Sequence, residues 1–475
     1  MHYRSAAMAL DQQSNWDIMM ADNLEKVKLD FHARRDNANM AQHASCTSQQ
    51  SGADDGNANA VWLGEPIYLP DEIIFHIVEF LARGHHAQSS LAAVCLLSRQ
   101  WYSAAISYLY RCPELYGNNF EKFERSICPS KNLHIRYSRF SKMVKVLDMS
   151  RLVHQASKST TARMIGRTKE SLEEFRAPQA SFGDSCLAPL AKCQQLRSLD
   201  LSLVSESPPL PKLFRTVSHL NNLRAFKLPR SSGFGVHHNG AAIDWPPNLA
   251  EISLSGGIDA HFLHGVVGFP QTLRSIVIEH CPLAKGFAVK HLLRNAVQPL
   301  QNLEYVKIAH MPRLSAHAMD DILFLLPQIK KLSIDIDYIT PAMFDEGHFS
   351  HFQDPLVAGV ENLEQPSFGQ PLKHEHLHTL ELTNSGNPNA EDKISPIDIM
   401  IALDECTLPR LRIVRVSRSL RWNSPTTAPD AEALSDALQE GSKRDWENRE
   451  GVFADMKTEE YGKADWARRA GVWSF

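Results

Sequence analysis

The sequence contains no run of about 18 apolar residues, so we expect no transmembrane helix. The apolar stretch near its start is too short for a secretory signal peptide. A strong charge of one sign is also absent, because 50 lysines and arginines face 54 acidic residues, which gives a formal net charge of −4. We therefore expect no broad basic surface, and we predict neither nucleic acid nor a membrane as a partner.

Cysteine is sparse, with eight residues in a chain of 475, and no two of them are spaced as CxxC. In a long chain without a secretory signal, such cysteines are typical of free thiols in a reducing compartment. We therefore expect this protein in the cytosol, the nucleus or both.

Motifs of catalysis and cofactor binding are missing as well. The sequence has neither a GxSxG nucleophile elbow nor a GxxxxGK[ST] phosphate loop, and the glycines of 233–240 lack the spacing of a dinucleotide loop. Three alternating histidines, His374, His376 and His378, would share one face of an extended segment, which a metal could use. Histidines beside repeat strands are more often solvated, so we expect no metal, no cofactor and no catalytic residue.

Residues 69–110 carry the strongest helical pattern. Pro70 suits a first helical position, and Asp71 and Glu72 suit the positive end of a helix dipole. The apolar residues that follow recur at helical spacing and give one apolar face: Ile73, Ile74, Ile77, Val78, Phe80 and Leu81. A helical unit of about forty residues has too little interior to enclose them all, so some must meet another chain or another domain.

The same segment continues past Gly84, which acts as a stop signal, and Ser89 or Ser90 can cap the next helix. It closes with Leu97-Ser98-Arg99-Gln100-Trp101. These signals, beginning with Leu69-Pro70-Asp71-Glu72-Ile73, resemble the F-box, in which Val-Cys-x-x-Trp usually stands at the closing position.

The resemblance implies three short helices within 65–112. It also implies docking onto the Skp adaptor subunit of SCF-type ubiquitin ligases, and through it onto cullin. The residues that would bear on the adaptor are Leu69, Pro70, Ile73, Ile77, Leu81, Leu97 and Trp101. An ordinary helical hairpin within a larger core is the alternative interpretation.

A repeated motif, apolar-x-x-apolar-x-apolar, fills the middle of the chain. Ten copies begin at Val144, Leu172, Leu196, Leu223, Leu249, Leu273, Leu303, Ile329, Leu377 and Leu411, and the first eight starts lie 24 to 30 residues apart. In a short strand the fourth and sixth positions point to the same side, so their apolar groups enter a core that only a neighbouring repeat can cover.

This spacing resembles that of leucine-rich repeats, and the stretch from Leu273 to Leu283 completes their signature with Cys281 at the Asn/Cys position. We therefore predict an α/β chain: a small three-helix F-box followed by an irregular leucine-rich-repeat solenoid, a horseshoe over 144–418. Residues 286–299 are predicted to form a helix and 229–248 a loop, so some outer helices should be short or missing.

Four further segments frame these units. Residues 1–60 lack apolar periodicity and are predicted to be disordered, and 113–143 should form a linker that packs the F-box on the repeats. The insertion 341–376 is either a surface loop or degraded repeat, or a flap that helps to hold a ligand. Residues 419–475 form either an amphipathic cap that packs its tryptophans on the last repeat or a partner-binding tail.

Function is expected on the concave face of the sheet, at the positions that point away from the core. The candidate target-binding residues there are Asp200, Lys227, Glu251, Glu279, Tyr305, Lys307, Lys331, Asp335, Glu381 and Arg415. Acids and bases are interspersed, so no groove of a single sign is evident.

An F-box followed by leucine-rich repeats is similar to the substrate receptors of SCF ubiquitin ligases, particularly the fungal ones. The resemblance implies a non-catalytic subunit that binds the Skp adaptor through the F-box and a target protein through the repeats. Two alternatives stay open. One is a protein-binding scaffold without a ubiquitin role, whose helical segment caps the first repeat, and the other is an enzyme with its active site in the long insertion.

Overall fold

The computed structural model describes residues 69–84, 87–129, 138–153, 156–233, 243–297, 302–344, 373–383, 393–450 and 470–475. They fall into two compact units, one ending at Leu109 and one beginning at Tyr110. The segment 1–60 lies outside the described residues. None of the helices in the described ranges combines the length and the apolar character needed to cross a membrane.

The first unit is made of helices: α1 (Asp71–Ala82), α2 (Ala87–Val94) and α3 (Arg99–Arg111), of which the last two residues belong to the second unit. Helix α1 begins as predicted, with Pro70 before it and two acids in its first turn. Helix α2 begins before Ser89, so neither Ser89 nor Ser90 caps it. The small core holds Ile74, Val78, Leu91, Ala104 and Ala105.

In its described residues, the second unit is built on one parallel sheet of eleven strands that neighbour each other in chain order. They are β1 (Val146–Asp148), β2 (Glu174–Arg176), β3 (Ser198–Asp200), β4 (Ala225–Lys227), β5 (Glu251–Leu254), β6 (Ser275–Glu279), β7 (Tyr305–Ala309), β8 (Lys331–Asp335), β9 (Thr379–Thr383), β10 (Ile413–Val416) and β11 (Gly471–Ser474). Each of the ten repeated motifs forms one of the first ten strands. An α/β architecture compatible with a solenoid-like repeat is thereby confirmed.

Register explains why the repeats stack. Leu199 of β3 lies opposite Phe175 of β2 and Phe226 of β4, and all three side chains are buried. Leu201, two residues further along, is buried on the same side. Each strand therefore covers the apolar side chains of the strands beside it. A single repeat would leave its apolar side exposed to water.

Asparagine side chains add a polar link between repeats. The amides of Asn222 and Asn248 each donate at 2.8 Å to a backbone carbonyl of the preceding repeat, that of Gln194 and that of Asn221. These two bonds thus link the turns that enter successive strands.

The returning segments are uneven, as predicted. Helix α4 (Asn118–Ile127) precedes β1, and the helices between strands are α5 (Lys158–Thr168), α6 (Asp184–Leu190), α7 (Leu210–Val217), α8 (Ala260–Gly265), α9 (Gly286–Val297), α10 (Ile322–Leu325), α11 (Pro396–Asp404) and α12 (Ala428–Glu450). Helix α9 confirms the helix predicted over 286–299, and the described residues of 229–248 contain no helix. Cys281 is buried at the turn after β6, with its thiol 3.5 Å from the carbonyl of Leu254.

The flanking segments differ in how much of them is described. Within the predicted linker 113–143, helix α4 buries Phe120, Phe123 and Ile127 in the core of the second unit. The insertion 341–376 starts with a 3-10 helix over Pro341–Phe344, and its residues 345–372 lie outside the described ranges.

The C-terminal segment 419–475 supplies helix α12 and strand β11. Helix α12 packs against α11 and β11, and β11 pairs in parallel with β10. The described side chains that α12 buries are Leu434 and Leu438, whereas Trp473 on β11 is exposed. Trp422, which precedes α12, is also buried in the core of the second unit, so leucines and one tryptophan share the packing, and the side chains of Trp446 and Trp466 lie outside those that the structure describes.

Candidate protein-binding surfaces

Helix α1 is apolar on more than one side, and only one side is needed by the core of its unit. Ile74 and Val78, one turn apart, are fully buried. Ile73, Ile77 and Phe80 follow the helical spacing i, i+4, i+7 and form a neighbouring stripe. This stripe faces solvent, with Ile73 46% and Phe80 78% exposed.

The turn after α2 extends the exposed apolar surface. Leu96 and Leu97 stand there, and Leu97 is 65% exposed. Phe75 is exposed on another side of α1. We call the six side chains Ile73, Phe75, Ile77, Phe80, Leu96 and Leu97 the helical surface. So many large apolar groups left in water by so small a unit are typical of a protein-binding surface.

The structure divides the seven predicted adaptor-binding residues into two groups. Pro70, Ile73, Ile77 and Leu97 are exposed, whereas Leu69, Leu81 and Trp101 are half-buried. Leu69 and Trp101 pack against the small core, so they support the unit from inside.

Sequence reasoning left Phe75 and Phe80 out of the adaptor-binding set. Phe80 could have been included, because it stands seven residues after Ile73 and so continues the same stripe. Phe75 has no such signal, since its exposure depends on how the three helices pack.

The start of α1 is held by Gln100 on α3. Its side-chain nitrogen donates to the carbonyl of Leu69 at 3.0 Å and to a carboxylate oxygen of Asp71 at 2.7 Å. On α3 itself, the Ser98 hydroxyl accepts from the backbone N–H of Trp101 at 3.3 Å. These bonds fix the backbone on which Pro70 and Ile73 are presented.

The second surface is the side of the sheet opposite the core, which we call the open face. All ten predicted target-binding residues lie on its strands: Asp200, Lys227, Glu251, Glu279, Tyr305, Lys307, Lys331, Asp335, Glu381 and Arg415. Backbone register places Asp200 opposite Lys227 and Glu381 opposite Arg415. The sheet therefore aligns these residues in rows across neighbouring strands.

Most charges of the open face are paired sideways across strands. Lys227 lies 3.0 Å from the Asp200 carboxylate, and Lys307 lies 2.8 Å from that of Glu279. Burial alone would raise the pKa of Asp200, but hydrogen bonds from Ser202 and Lys227 outweigh it and lower that pKa. For Glu279, too, burial alone would raise the pKa, but the hydrogen bond from Lys307 and the nearby positive charges together outweigh it and lower that pKa. Both carboxylates thus carry their charge at neutral pH.

Asp335 does not belong to the accessible set. It is fully buried, and its carboxylate accepts hydrogen bonds from the backbone N–H of His310 at 2.7 Å, from the Tyr338 hydroxyl at 3.2 Å and from the Thr383 hydroxyl. Strand alternation assigns Asp335 to the open face correctly, but the chain that turns into the 3-10 helix Ile336–Tyr338 covers it. Its predicted role in target binding is therefore wrong.

The three alternating histidines do not form a common site. His374 is buried, its Nε2–H donates to the Leu326 carbonyl at 2.8 Å, and its Nδ1 accepts from the Leu377 N–H at 3.0 Å. Both ring nitrogens are thus engaged with backbone, whereas His376 and His378 are exposed. No group of three His, Cys, Asp or Glu side chains in the described part of the chain is arranged to hold a metal ion.

Two known proteins are similar to this chain over most of its length. No family model matches the chain. It is 30% identical over 334 residues to F-box protein YDR306C of Saccharomyces cerevisiae, covering 69% of this chain and 63% of that protein. It is 28% identical over 357 residues to Protein pof5 of Schizosaccharomyces pombe, covering 74% of this chain and 92% of the relative. The chain thus spans less than two thirds of the first relative, and the two similarities together support an F-box protein family for it.

Proposed function

We propose that the chain is the substrate-recognition subunit of an SCF-type ubiquitin ligase. In this role the helical surface binds the Skp adaptor, and through it cullin, while the open face binds a target protein. The chain itself does no bond chemistry. It holds the target beside a ubiquitin-loaded enzyme, so that an encounter between separate molecules becomes one at high effective concentration. Such a subunit works in the cytosol or the nucleus.

The observation that carries this proposal is the exposed stripe of Ile73, Ile77 and Phe80 together with Leu97. Burying one such side chain contributes about 1.5–3 kcal/mol, so a partner that covers all four gains a strong and specific driving force. Membership of an F-box protein family, supported by the relatives, indicates which partner this is. The adaptor-binding set then consists of Pro70, Ile73, Ile77 and Leu97 from the sequence prediction, with Phe80 added.

Leu69, Leu81 and Trp101 take a different part in the proposed interaction. Because they are half-buried, a substitution there disturbs the small helical unit as well as its surface. Variants at Phe80 and Leu97 remove apolar surface without opening the core, so they separate binding from folding.

Co-expression with the Skp adaptor tests the proposal. The unaltered chain should carry the adaptor through affinity purification and a sizing column. Phe80→Ser with Leu97→Ser should lose it, whereas Phe287→Ser, which alters an exposed apolar residue of the second unit, should keep it. An unaltered chain that elutes without the adaptor would instead support a scaffold without a ubiquitin role.

A further inference from the structure

The two ends of the open face carry opposite charge. Strands β1–β5 hold four acids, Asp148, Glu174, Asp200 and Glu251, against two bases, Arg176 and Lys227. Strands β7–β11 hold three bases, Lys307, Lys331 and Arg415, against two acids, Asp335 and Glu381. The first end is therefore net acidic. At the second end Glu279 of β6 neutralises Lys307, which leaves Lys331 and Arg415 as the accessible cations.

Burial sharpens this difference at the second end. Glu381 is shared by Lys331 and Arg415, each at 3.3 Å, and its side chain is 12% exposed while that of Arg415 is 41% exposed. Asp335 is fully buried, and its carboxylate already accepts hydrogen bonds from within the chain, such as that from the backbone N–H of His310. What β7–β11 present to solvent is thus cationic, because the carboxylates lie beneath the cations.

The first end shows the reverse. Glu174 and Glu251 are exposed, and neither has an ion-pair partner among the residues that the structure describes. Arg176 and Lys227 are each paired, with Asp148 at 3.1 Å and with Asp200 at 3.0 Å. The carboxylates of Glu174 on β2 and Glu251 on β5 would therefore repel an acidic partner.

Aromatic rings complete the second end. The Lys331 ammonium lies 4.8 Å from the centre of the Tyr305 ring, and the Arg415 guanidinium lies 5.0 Å from that of Phe475. Trp473 of β11, opposite Arg415 in register, is exposed, as is Phe475. Rings and a shared carboxylate therefore hold both cations in place, and Tyr, Trp and Arg are the residues that most often dominate protein–protein binding.

We infer that the part of the open face on β7–β11, with Phe475 directly after β11, is the docking surface for an extended acidic segment of the target that also carries apolar side chains. The residues of this surface are Tyr305, Lys331, Glu381, Arg415, Trp473 and Phe475. The carboxylates of the target segment pair with Lys331 and Arg415, and its apolar groups cover Trp473 and Phe475. The inference rests on the proposed function, since it gives the chemistry of the target that such a receptor would select.

Fluorescence anisotropy with defined peptides tests this inference on the full-length chain. The probe is a fluorescein-labelled peptide of about ten residues, half glutamate and half leucine, long enough to cross five strands spaced about 4.8 Å apart. A matched peptide has lysine in place of glutamate. The acidic peptide should bind more tightly than the basic one, and added salt should weaken its binding.

Variants locate the binding. Lys331→Gln with Arg415→Gln should weaken the acidic peptide about tenfold, since two ion pairs are lost. Arg176→Gln with Lys212→Gln removes two other exposed cations of the second unit, which pair with Asp148 at 3.1 Å and with Asp184 at 2.8 Å, and should leave the affinity unchanged. Trp473→Ala with Phe475→Ala should weaken binding without changing its salt dependence. Far-UV circular dichroism checks that each variant folds.

Equal affinity for the two peptides, or an equal loss in the Arg176 and Lys212 variant, would overturn the inference. This result is separable from that of the adaptor experiment. If the adaptor co-purifies while the Lys331 and Arg415 variant binds the acidic peptide normally, only the inference about the target fails. If the peptide behaves as expected but no adaptor is retained, the ubiquitin role fails and the docking surface stands.

Discussion

The guanidinium of Arg412 donates from Nε to a carboxylate oxygen of Asp445 at 2.8 Å, which ties the last predicted repeat to helix α12. A second guanidinium nitrogen of Arg412 donates to the Leu411 carbonyl at 2.7 Å, and the arginine is buried. Gly441 lies against the guanidinium of Arg412. A Cβ at that position would come within 3.1 Å of the guanidinium carbon. The glycine within α12 thus gives the buried cation its room.

Asp445→Ala should therefore destabilise the second unit. It leaves Arg412 buried without its carboxylate, and loss of a hydrogen bond to a charged group costs about 2 kcal/mol. Denaturant-induced unfolding measures the change. The control is Glu304→Ala, which removes an exposed pair with Lys330 at 2.8 Å and should cost less than about 0.5 kcal/mol. Equal effects of the two substitutions would show that α12 is not fastened through Arg412.

Two adjacent isoleucines of α1 offer a test of which side of the helix is core. Ile74 is 1% exposed and Ile73 is 46% exposed. Ile74→Ala should cost about 2–5 kcal/mol because it opens a cavity, whereas Ile73→Ala should cost less than about 1 kcal/mol. Hydrogen exchange of the backbone amides of α1 measures the loss of stability in both variants. A greater loss of protection in the Ile73 variant would reverse the assignment of the two sides.

The stability of the second unit should depend on pH through His374. Burial lowers the pKa of His374 below its ordinary value of 6.5, because protonation would place a charge in the core and break the bond from Leu377 to Nδ1. The unfolded chain then binds a proton more readily than the folded one, so stability should fall as pH drops below about 6.5.

His374→Gln removes this titrating group and should flatten the fall in stability between about pH 7 and pH 5. The comparison with the unaltered chain isolates His374 from other histidines whose pKa is also lowered by burial, such as His280. Thermal unfolding at several pH values provides the measurement. Parallel curves for the two proteins would contradict the buried, neutral state of His374.

The strands were predictable from the sequence because each motif has to bury its fourth and sixth residues on one side. Strand β11 was not, since Gly471-Val472-Trp473-Ser474 lacks the motif and is added by backbone pairing with β10. Strand alternation also predicts on which side of the sheet a residue lies, but it does not predict whether that residue is exposed to solvent. It therefore placed Asp335 on the open face but could not anticipate that the following turn covers it.

The helical surface was predictable only in part. The F-box resemblance singled out positions in the chain, but a helix with apolar residues on several sides does not reveal which side its own unit covers. Ile73 and Ile77 proved exposed, while Leu69 and Trp101 pack inward. Which side of α1 is covered depends on how α2 and α3 pack on it. The spacing of residues within α1 carries no information about that packing.

Calorimetric titration of the purified Skp adaptor into the full-length chain tests the proposed interaction most directly. The two proteins should form a one-to-one complex with a negative heat-capacity change, because Ile73, Ile77, Phe80 and Leu97 pass from water into the interface. Phe80→Ser with Leu97→Ser should abolish the heat of binding. No heat with the unaltered chain, or full binding by the double variant, would contradict the assignment of the helical surface to the adaptor.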